Sequence, residues 1–116
     1  MNAPMTPGPR IHHSASLRVA IPESLPEEMR DDIREILAVA TTNPRKGHAT
    51  ALMHQVMAEA DFAWVTLMIH VKPFANGMTL EQLAKWYARF EFVEIQSEPV
   101  LLMARSPQKP RIVRVH

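Results

Sequence analysis

A regular helical period followed at once by an apolar run constrains this chain more than any other feature of its sequence. Between residues 49 and 60 the apolar side chains recur every three or four residues, and they are Ala49, Leu52, Met53, Val56, Met57 and Ala60. This spacing places them on one face of an amphipathic helix. Residues 62–71 are almost all apolar or β-branched, which predicts a strand covered on both faces. A helix that leads directly into a buried strand requires a layered α/β fold.

A second helix and a hairpin are predicted after this unit. Residues 76–77 are Asn-Gly and predict a turn, and Thr79 with Gln82 forms a capping box for the helix that follows. The apolar side chains expected to pack from this helix are Leu80, Leu83, Ala84 and Tyr87. Two short β-rich segments, 91–96 and 100–104, are separated by a Ser-Glu-Pro turn and predict an antiparallel hairpin.

The N-terminal half gives one clear strand and one ambiguous segment. Residues 17–21 alternate apolar and other side chains and stop at a proline, which predicts a short edge strand. Ser24 and Glu27 match a capping box, and the apolar period after them favours a helix over residues 25–40. Residues 36–42 are also rich in small and β-branched side chains, so a strand there is the alternative. Both interpretations remain open at this point.

The predicted organisation is one mixed α/β domain between two tails. The 116-residue length suits a single domain. Residues 1–16 hold three prolines and no hydrophobic period and predict a flexible tail. The domain covers residues 17–105, and residues 106–116, basic and with two prolines, predict a second flexible tail.

Composition excludes several classes of function. The chain has no cysteine, so a disulfide framework and a thiolate nucleophile are both ruled out. His54 and His70 do not share metal-ligand spacing with acidic residues, so no metal is predicted. A net charge of +1 does not favour nucleic acid or a membrane surface as the main partner. Without a signal-peptide pattern or a long apolar run, a cytoplasmic location is expected.

The loop before the strongest helix has the residues of an anion site. It reads Asn43, Pro44, Arg45, Lys46, Gly47, His48, Ala49 and Thr50. The first turn of a helix leaves backbone N–H groups without partners and carries partial positive charge. Gly47 allows a ligand oxygen to come close to the backbone, and Arg45 and Lys46 add cationic side chains. Together these residues predict a cradle for a pyrophosphate.

Other interpretations of the loop are a plain solvated helix start or a nucleotide-binding motif. The Lys46 and Gly47 order is the reverse of the P-loop order, and the upstream glycine of a P-loop is missing. Two of the three glycines of a dinucleotide-binding fingerprint are absent as well.

Two separated segments resemble motifs of the GCN5-related N-acetyltransferase (GNAT) family. Residues 44–52 are similar to the family's Gln/Arg-x-x-Gly-x-Gly/Ala motif, which opens a helix. Residues 86–92 are similar to its Tyr-x-x-x-Gly-Phe segment, and the strand predicted between the two motifs also agrees. The resemblance covers about residues 37–105. It implies a GNAT-like acyl-CoA N-acyltransferase fold, a mixed sheet with flanking helices, shortened at the N-terminus.

The resemblance also implies a co-substrate and a role for each matching residue. Acetyl-CoA would place its pyrophosphate on Arg45, Lys46, Gly47, His48, Ala49 and Thr50. Its pantetheine would run along the strand at 65–71. Tyr87 matches the general acid that protonates the departing thiolate. Pro44 and Glu91 depart from the family pattern, because they stand where Gln or Arg and Gly are usual.

Two hypotheses about function follow. The first is an acetyl-CoA-dependent N-acetyltransferase that acts on a primary amine by direct attack. The second is a catalytically reduced, GNAT-like binding module, for CoA or a protein partner, that works as a homodimer or with a macromolecule. The second is motivated by the short region, residues 17–42, that would build the acceptor site. If residues 36–42 form the family's central strand, the resemblance places Glu35 near the usual position of the general base.

Overall fold

The chain forms a six-stranded mixed sheet with two helices in a computed structural model that describes residues 5–43, 46–72 and 78–108. The strands are β1 (Gly8–His12), β2 (Ala15–Ala20), β3 (Ile33–Thr41), β4 (Thr66–His70), β5 (Val93–Gln96) and β6 (Leu102–Arg105). The helices are α1 (His48–Ala63) and α2 (Leu80–Ala88). The order across the sheet is β1-β2-β3-β4-β6-β5, and only the β3 and β4 pair is parallel. The predicted mixed α/β class is confirmed.

Helix α1 lies where the apolar period predicts it. Five of the six periodic residues are buried, and the sixth, Ala49, is half-buried in the first turn. Gly47 precedes the helix with a φ of 73° and Trp64 ends it with a φ of 57°, so both ends use the left-handed conformation. Glycine adopts that conformation without strain, whereas a tryptophan there is uncommon.

Helix α2 begins at the predicted capping box. The Thr79 hydroxyl accepts from the Gln82 amide, and the Gln82 side chain accepts from the Thr79 amide. Leu83 and Tyr87 are buried, as predicted, but Leu80 is 40% exposed, so its predicted place in the core is wrong. Leu80 is the first residue of α2, and the buried residues of this helix begin one turn later, at Leu83.

The N-terminal tail prediction is wrong for the described residues 5–16. Strand β1 pairs antiparallel with β2, and Met5 is only 2% exposed. The Arg34 guanidinium donates through Nε to the Met5 carbonyl at 2.8 Å, which fixes this segment to β3. Proline is tolerated in an edge strand because such a strand leaves half its N–H groups unpaired. Strand β2 is confirmed, but β1 makes it an internal strand and not the predicted edge.

The helix predicted over residues 25–40 is wrong, and the strand alternative is correct. Strand β3 covers Ile33–Thr41, and the matched capping box leads only to a single 3-10 turn at Glu27–Met29. Three residues of β3 are buried, Arg34, Ile36 and Val39, and the last two are three apart. That spacing imitates a helical period because a bulge interrupts the alternation of the strand.

The two faces of the sheet differ in burial. Arg34, Leu67 and Arg105 are paired across three neighbouring strands, and all three are buried. The next row, Glu35, Met68 and Ala104, is only half-buried. Leu67, Ile69 and Met103 join the buried residues of both helices in one core. The prediction that β4 is covered on both faces is therefore wrong, because one face of the sheet is open in the part of the chain that the structure describes.

The C-terminal hairpin is confirmed, with β5 and β6 antiparallel. Of the predicted basic tail, residues 106–108 are described, and the Gln108 amide donates to the Asp61 carboxylate at 2.9 Å. The rest of that tail and the turn predicted at 76–77 lie outside the described residues. No helix in the described ranges has both the length and the apolar character to cross a membrane.

Candidate active site

A cleft opens where the parallel strands β3 and β4 separate. They are paired only from Ile33 to Glu35 and from Thr66 to Met68, and beyond these residues each strand continues without the other. The gap has a volume of about 340 Å³. Its lining residues are Ile36, Leu37, Ala38, Val39, Ile69, His70, Lys72 and Tyr87. Strand residues from both faces of the sheet line the cleft, which lies at the carboxyl ends of the parallel strands.

A β-bulge in β3 forms one wall of the cleft. Ser16 pairs with Ala40 and Arg18 with Leu37, so Ala38 and Val39 together lie opposite one residue of β2. Ala38 has a φ of 54°, a left-handed conformation that is uncommon for any residue other than glycine. Bulges of this kind bend a strand and occur often beside active sites. The bulge lies beyond Glu35, the last residue of β3 that pairs with β4.

Tyr87 lies in the wall of the cleft, as the last buried residue of α2. It is 1% exposed, and its ring contacts Trp86 and Phe92 at centroid distances of 5.0 and 6.0 Å. Burial raises the pKa of the Tyr87 phenol from 10.0 to about 12. The hydroxyl therefore keeps its proton at neutral pH.

The start of α1 presents backbone amides at the same end of the sheet. The first bond into the helix runs from the Ala51 amide to the Gly47 carbonyl at 3.0 Å, so the amides of His48, Ala49 and Thr50 precede the helical ladder. Among the described residues no side chain caps the helix, and its first turn holds no acidic residue. Lys46 is exposed beside it, whereas Arg45, also predicted for this cradle, lies outside the described residues. These features suit an anion.

The side chain of His48 contacts the turn between β1 and β2. Its Nδ1 lies 2.7 Å from the Ser14 hydroxyl, which in turn is 2.9 Å from the Thr41 hydroxyl. The rings of His12 and His13 lie 6.1 and 4.9 Å from that of His48. Burial, then the nearby charges of the other two histidines and of Lys46, lower the pKa of His48. In the described residues no set of three His, Cys, Asp or Glu side chains is placed to hold a metal ion.

His70 is a cleft residue that the sequence analysis considered only as a metal ligand. Its Nδ1 is 3.4 Å from the Glu35 carboxylate, and its side chain is 47% exposed. The position of His70 at the end of β4 is the signal that could have identified it, because ligands of open α/β sheets bind at the carboxyl ends of the parallel strands. That signal is hidden in the sequence until β3 is recognised as the parallel neighbour of β4.

The structure thus brings Tyr87 and His70 together around one cleft. Lys46, Gly47, His48, Ala49 and Thr50 do not line that cleft, but they lie beyond the same carboxyl end of β3. Glu35 lies on β3 beside His70 and is outside the lining residues. The site therefore has a helix start that suits an anion and a narrow central gap, with an ionisable pair on the open face.

Comparison with known proteins shows a likeness in fold to a solved structure. No protein-family model matches the chain, and no curated protein matches it. The crystal structure of the anti-CRISPR protein AcrVA5 has a similar fold, with a TM-score of 0.67 at 20% sequence identity. The match covers 86% of this chain and 98% of AcrVA5. At this identity the likeness concerns the fold alone.

Proposed function

We propose that the protein is an acetyl-CoA-dependent N-acetyltransferase with an N-terminally shortened GNAT-like fold, acting in the cytoplasm. The observation that carries the proposal is the cleft between β3 and β4, with the bulge at Ala38 on one side and Tyr87 in its wall. A thioester arm is long and thin and carries amide groups along its length. It suits a gap between two strand edges, where unpaired backbone groups are available to it.

The start of α1 supports the position of the pyrophosphate. The amides of His48, Ala49 and Thr50 lie beyond the carboxyl end of β3, and the cleft opens at that same end. An anion there gains from the helix dipole and from the exposed Lys46. His48 contributes through its backbone, because its Nδ1 is already occupied by Ser14.

The edge of β4 supports the position of the pantetheine. On its other side β4 is paired with β6, and the bond from the Val71 amide to the Leu101 carbonyl at 2.9 Å continues that pairing. Beyond Met68, no strand in the described part of the chain pairs with the edge that faces β3. Its backbone groups suit the amides of the arm, which would bring the thioester toward Tyr87.

The proposed chemistry is direct transfer without a covalent enzyme intermediate. A neutral amine attacks the acetyl carbonyl, the C–N bond forms, and the C–S bond breaks. The thiolate takes a proton from the Tyr87 hydroxyl, which regains one as the nitrogen loses its own. Because the pKa of Tyr87 is raised to about 12, the acid form is present throughout the neutral range.

Calorimetric titration with acetyl-CoA tests the proposal first, and thiol release with a panel of primary amines tests it second. Leu37 lines the cleft and is 37% exposed, so Leu37→Glu puts an anion beside the arm at small risk to folding. We expect it to weaken acetyl-CoA binding at least about tenfold, a cost of about 1.4 kcal/mol. Ile11→Glu is the matched control, since Ile11 is 71% exposed on β1, away from the cleft.

Two results would contradict the proposal. One is the absence of binding heat at millimolar acetyl-CoA, which removes the co-substrate altogether. The other is binding without thiol release from any amine, which favours the catalytically reduced binding module.

A further inference from the structure

A histidine and a glutamate from the two separating strands meet on the open face of the sheet. His70 ends β4, Glu35 is in β3, and the His70 Nδ1 and Glu35 Oε2 atoms are 3.4 Å apart. The Glu35 side chain is 17% exposed and that of His70 is 47% exposed. His70 lines the cleft, and Glu35 is not among the lining residues. The carboxylate thus contacts the imidazole but does not itself line the cleft.

We infer that His70 is the general base that takes a proton from the acceptor ammonium, and that Glu35 is its positioning residue; this rests on the proposed N-acetyltransferase function. A carboxylate beside Nδ1 favours the tautomer that carries its proton on Nδ1. The Nε2 atom then keeps its lone pair, as a base requires. A base held by a third group is a recurring arrangement in nucleophilic chemistry.

The proton moves from the acceptor ammonium to His70 and then to water. Nε2 takes one proton from the ammonium, which leaves a neutral amine whose lone pair forms the C–N bond. The imidazolium gives that proton to water after the products leave. Two charged groups affect the imidazolium in opposite ways. The Glu35 carboxylate stabilises its positive charge, and the Lys72 ammonium, in the cleft lining, destabilises it. Tyr87, the third ionisable cleft residue, is neutral, and β6 contributes only the apolar Leu102 opposite His70.

The alternative is that Glu35 itself is the base, as the family resemblance implies. The placement of the two groups argues against it, because His70 lines the cleft and Glu35 does not. The open face also gives an acceptor amine direct access to His70, which is the more exposed of the pair. The two assignments differ in which substitution removes the pH dependence of the rate.

The tautomer of His70 in the free protein is the first test, and it needs no substrate. We expect nitrogen-15 NMR at pH 8.5 to show the proton on Nδ1, and Glu35→Ala to shift it mainly to Nε2. An unchanged tautomer in that variant would remove the positioning role of Glu35.

The rate and its pH profile are the second test, with acetyl-CoA affinity measured beside them. We expect His70→Gln to lower turnover roughly 10²- to 10⁴-fold, to abolish the rise in kcat/KM with pH, and to change acetyl-CoA affinity less than about twofold. Glu35→Gln should lower turnover less and keep the rise. His54→Gln is the control, because His54 is exposed on α1 and lies outside the cleft lining.

Failure of the His70 assignment and failure of the proposed function give different results. An active wild-type protein whose His70→Gln variant keeps its rate and pH profile overturns only the assignment of His70. If Glu35→Gln instead abolishes the pH dependence while His70→Gln keeps it, Glu35 is the base and the assignment is wrong. A wild-type protein that releases no thiol with any amine overturns the proposed function and this inference together.

Discussion

At the scale of single residues, Tyr87 tests the chemistry of the cleft. Tyr87→Phe removes only the hydroxyl and leaves the buried ring against Trp86 and Phe92. We expect thiol release to fall about 100-fold, within the usual range for loss of an acid, while acetyl-CoA affinity stays within about twofold. Stopped-flow thiol detection and calorimetry measure the two effects. An unchanged release rate would remove Tyr87 from the mechanism.

The same substitution tests the protonation state of Tyr87 through stability. Burial raises the folded-state pKa from 10.0 to about 12, so the unfolded chain loses this proton first as the pH rises. The contribution to stability is complete below pH 10 and is lost between pH 10 and 12. By linkage, the wild type should lose about 1 kcal/mol more than Tyr87→Phe between pH 9 and 11. Urea unfolding at both pH values measures it, and parallel losses in the two proteins would contradict the burial of an ionisable hydroxyl.

At the scale of elements, α1 and β3 show why one segment could be predicted and the other could not. In α1 each periodic apolar residue packs on one face, so the local pattern and the tertiary contacts agree. In β3 the bulge at Ala38 places two buried residues three apart, and the buried Arg34 is polar. Neither the bulge nor the bonds from Arg34 to backbone carbonyls has a local sequence signal. The contact between Glu35 and His70 depends on β3 being a strand, so the sequence pattern could not predict it either.

Also at this scale, the side chain of Arg105 connects three parts of the fold, which are β6, the end of α1 and the residues just after α2. The guanidinium of Arg105 in β6 donates two bonds, of 2.7 and 3.0 Å, to the Asp61 carboxylate near the end of α1. A third bond, from its Nε, reaches the Phe90 carbonyl just after α2 at 2.9 Å. Arg105 is 5% exposed, so a change at Asp61 leaves a buried cation without its partner.

We expect Asp61→Asn to lower the free energy of unfolding by about 3 kcal/mol, the usual cost of breaking a buried pair. Burial by itself raises the pKa of Asp61, but the bonds from Arg105 and Gln108 outweigh it, and the pKa is lowered from 3.8. The stabilisation is therefore present above pH 3.8 and lost as the pH falls through the lower folded-state value.

Chemical unfolding at pH 7 and at pH 3 measures this effect. Glu59→Gln is the control, because its pair with Arg10 is more exposed and should contribute less than about 1 kcal/mol. Equal losses in the two variants would show that burial of Arg105 does not determine the cost.

At the scale of the whole molecule, the described residues form two layers, whereas a strand covered on both faces needs a third. The continuous apolar run at 62–71 predicted a strand covered on both sides, yet Phe62 and Ala63 belong to α1 and β4 begins only at Thr66. Within β4 the buried Leu67 and Ile69 alternate with the half-buried Met68. Methionine and leucine are both apolar, so composition cannot distinguish a second covering layer from an open face. An open face beside the cleft leaves His70 accessible.

Matched substitutions on adjacent positions of β4 test this two-layer arrangement. Leu67 is fully buried in the core that both helices share, so Leu67→Ala should cost about 2–5 kcal/mol. Met68 points to the opposite face and is only half-buried, so Met68→Ala should cost less than about 1 kcal/mol, since a side chain that still meets water leaves no closed cavity. Urea unfolding of both variants compares them directly. Comparable losses would mean that a second layer covers Met68, and the access to His70 that its proposed role requires would then be closed.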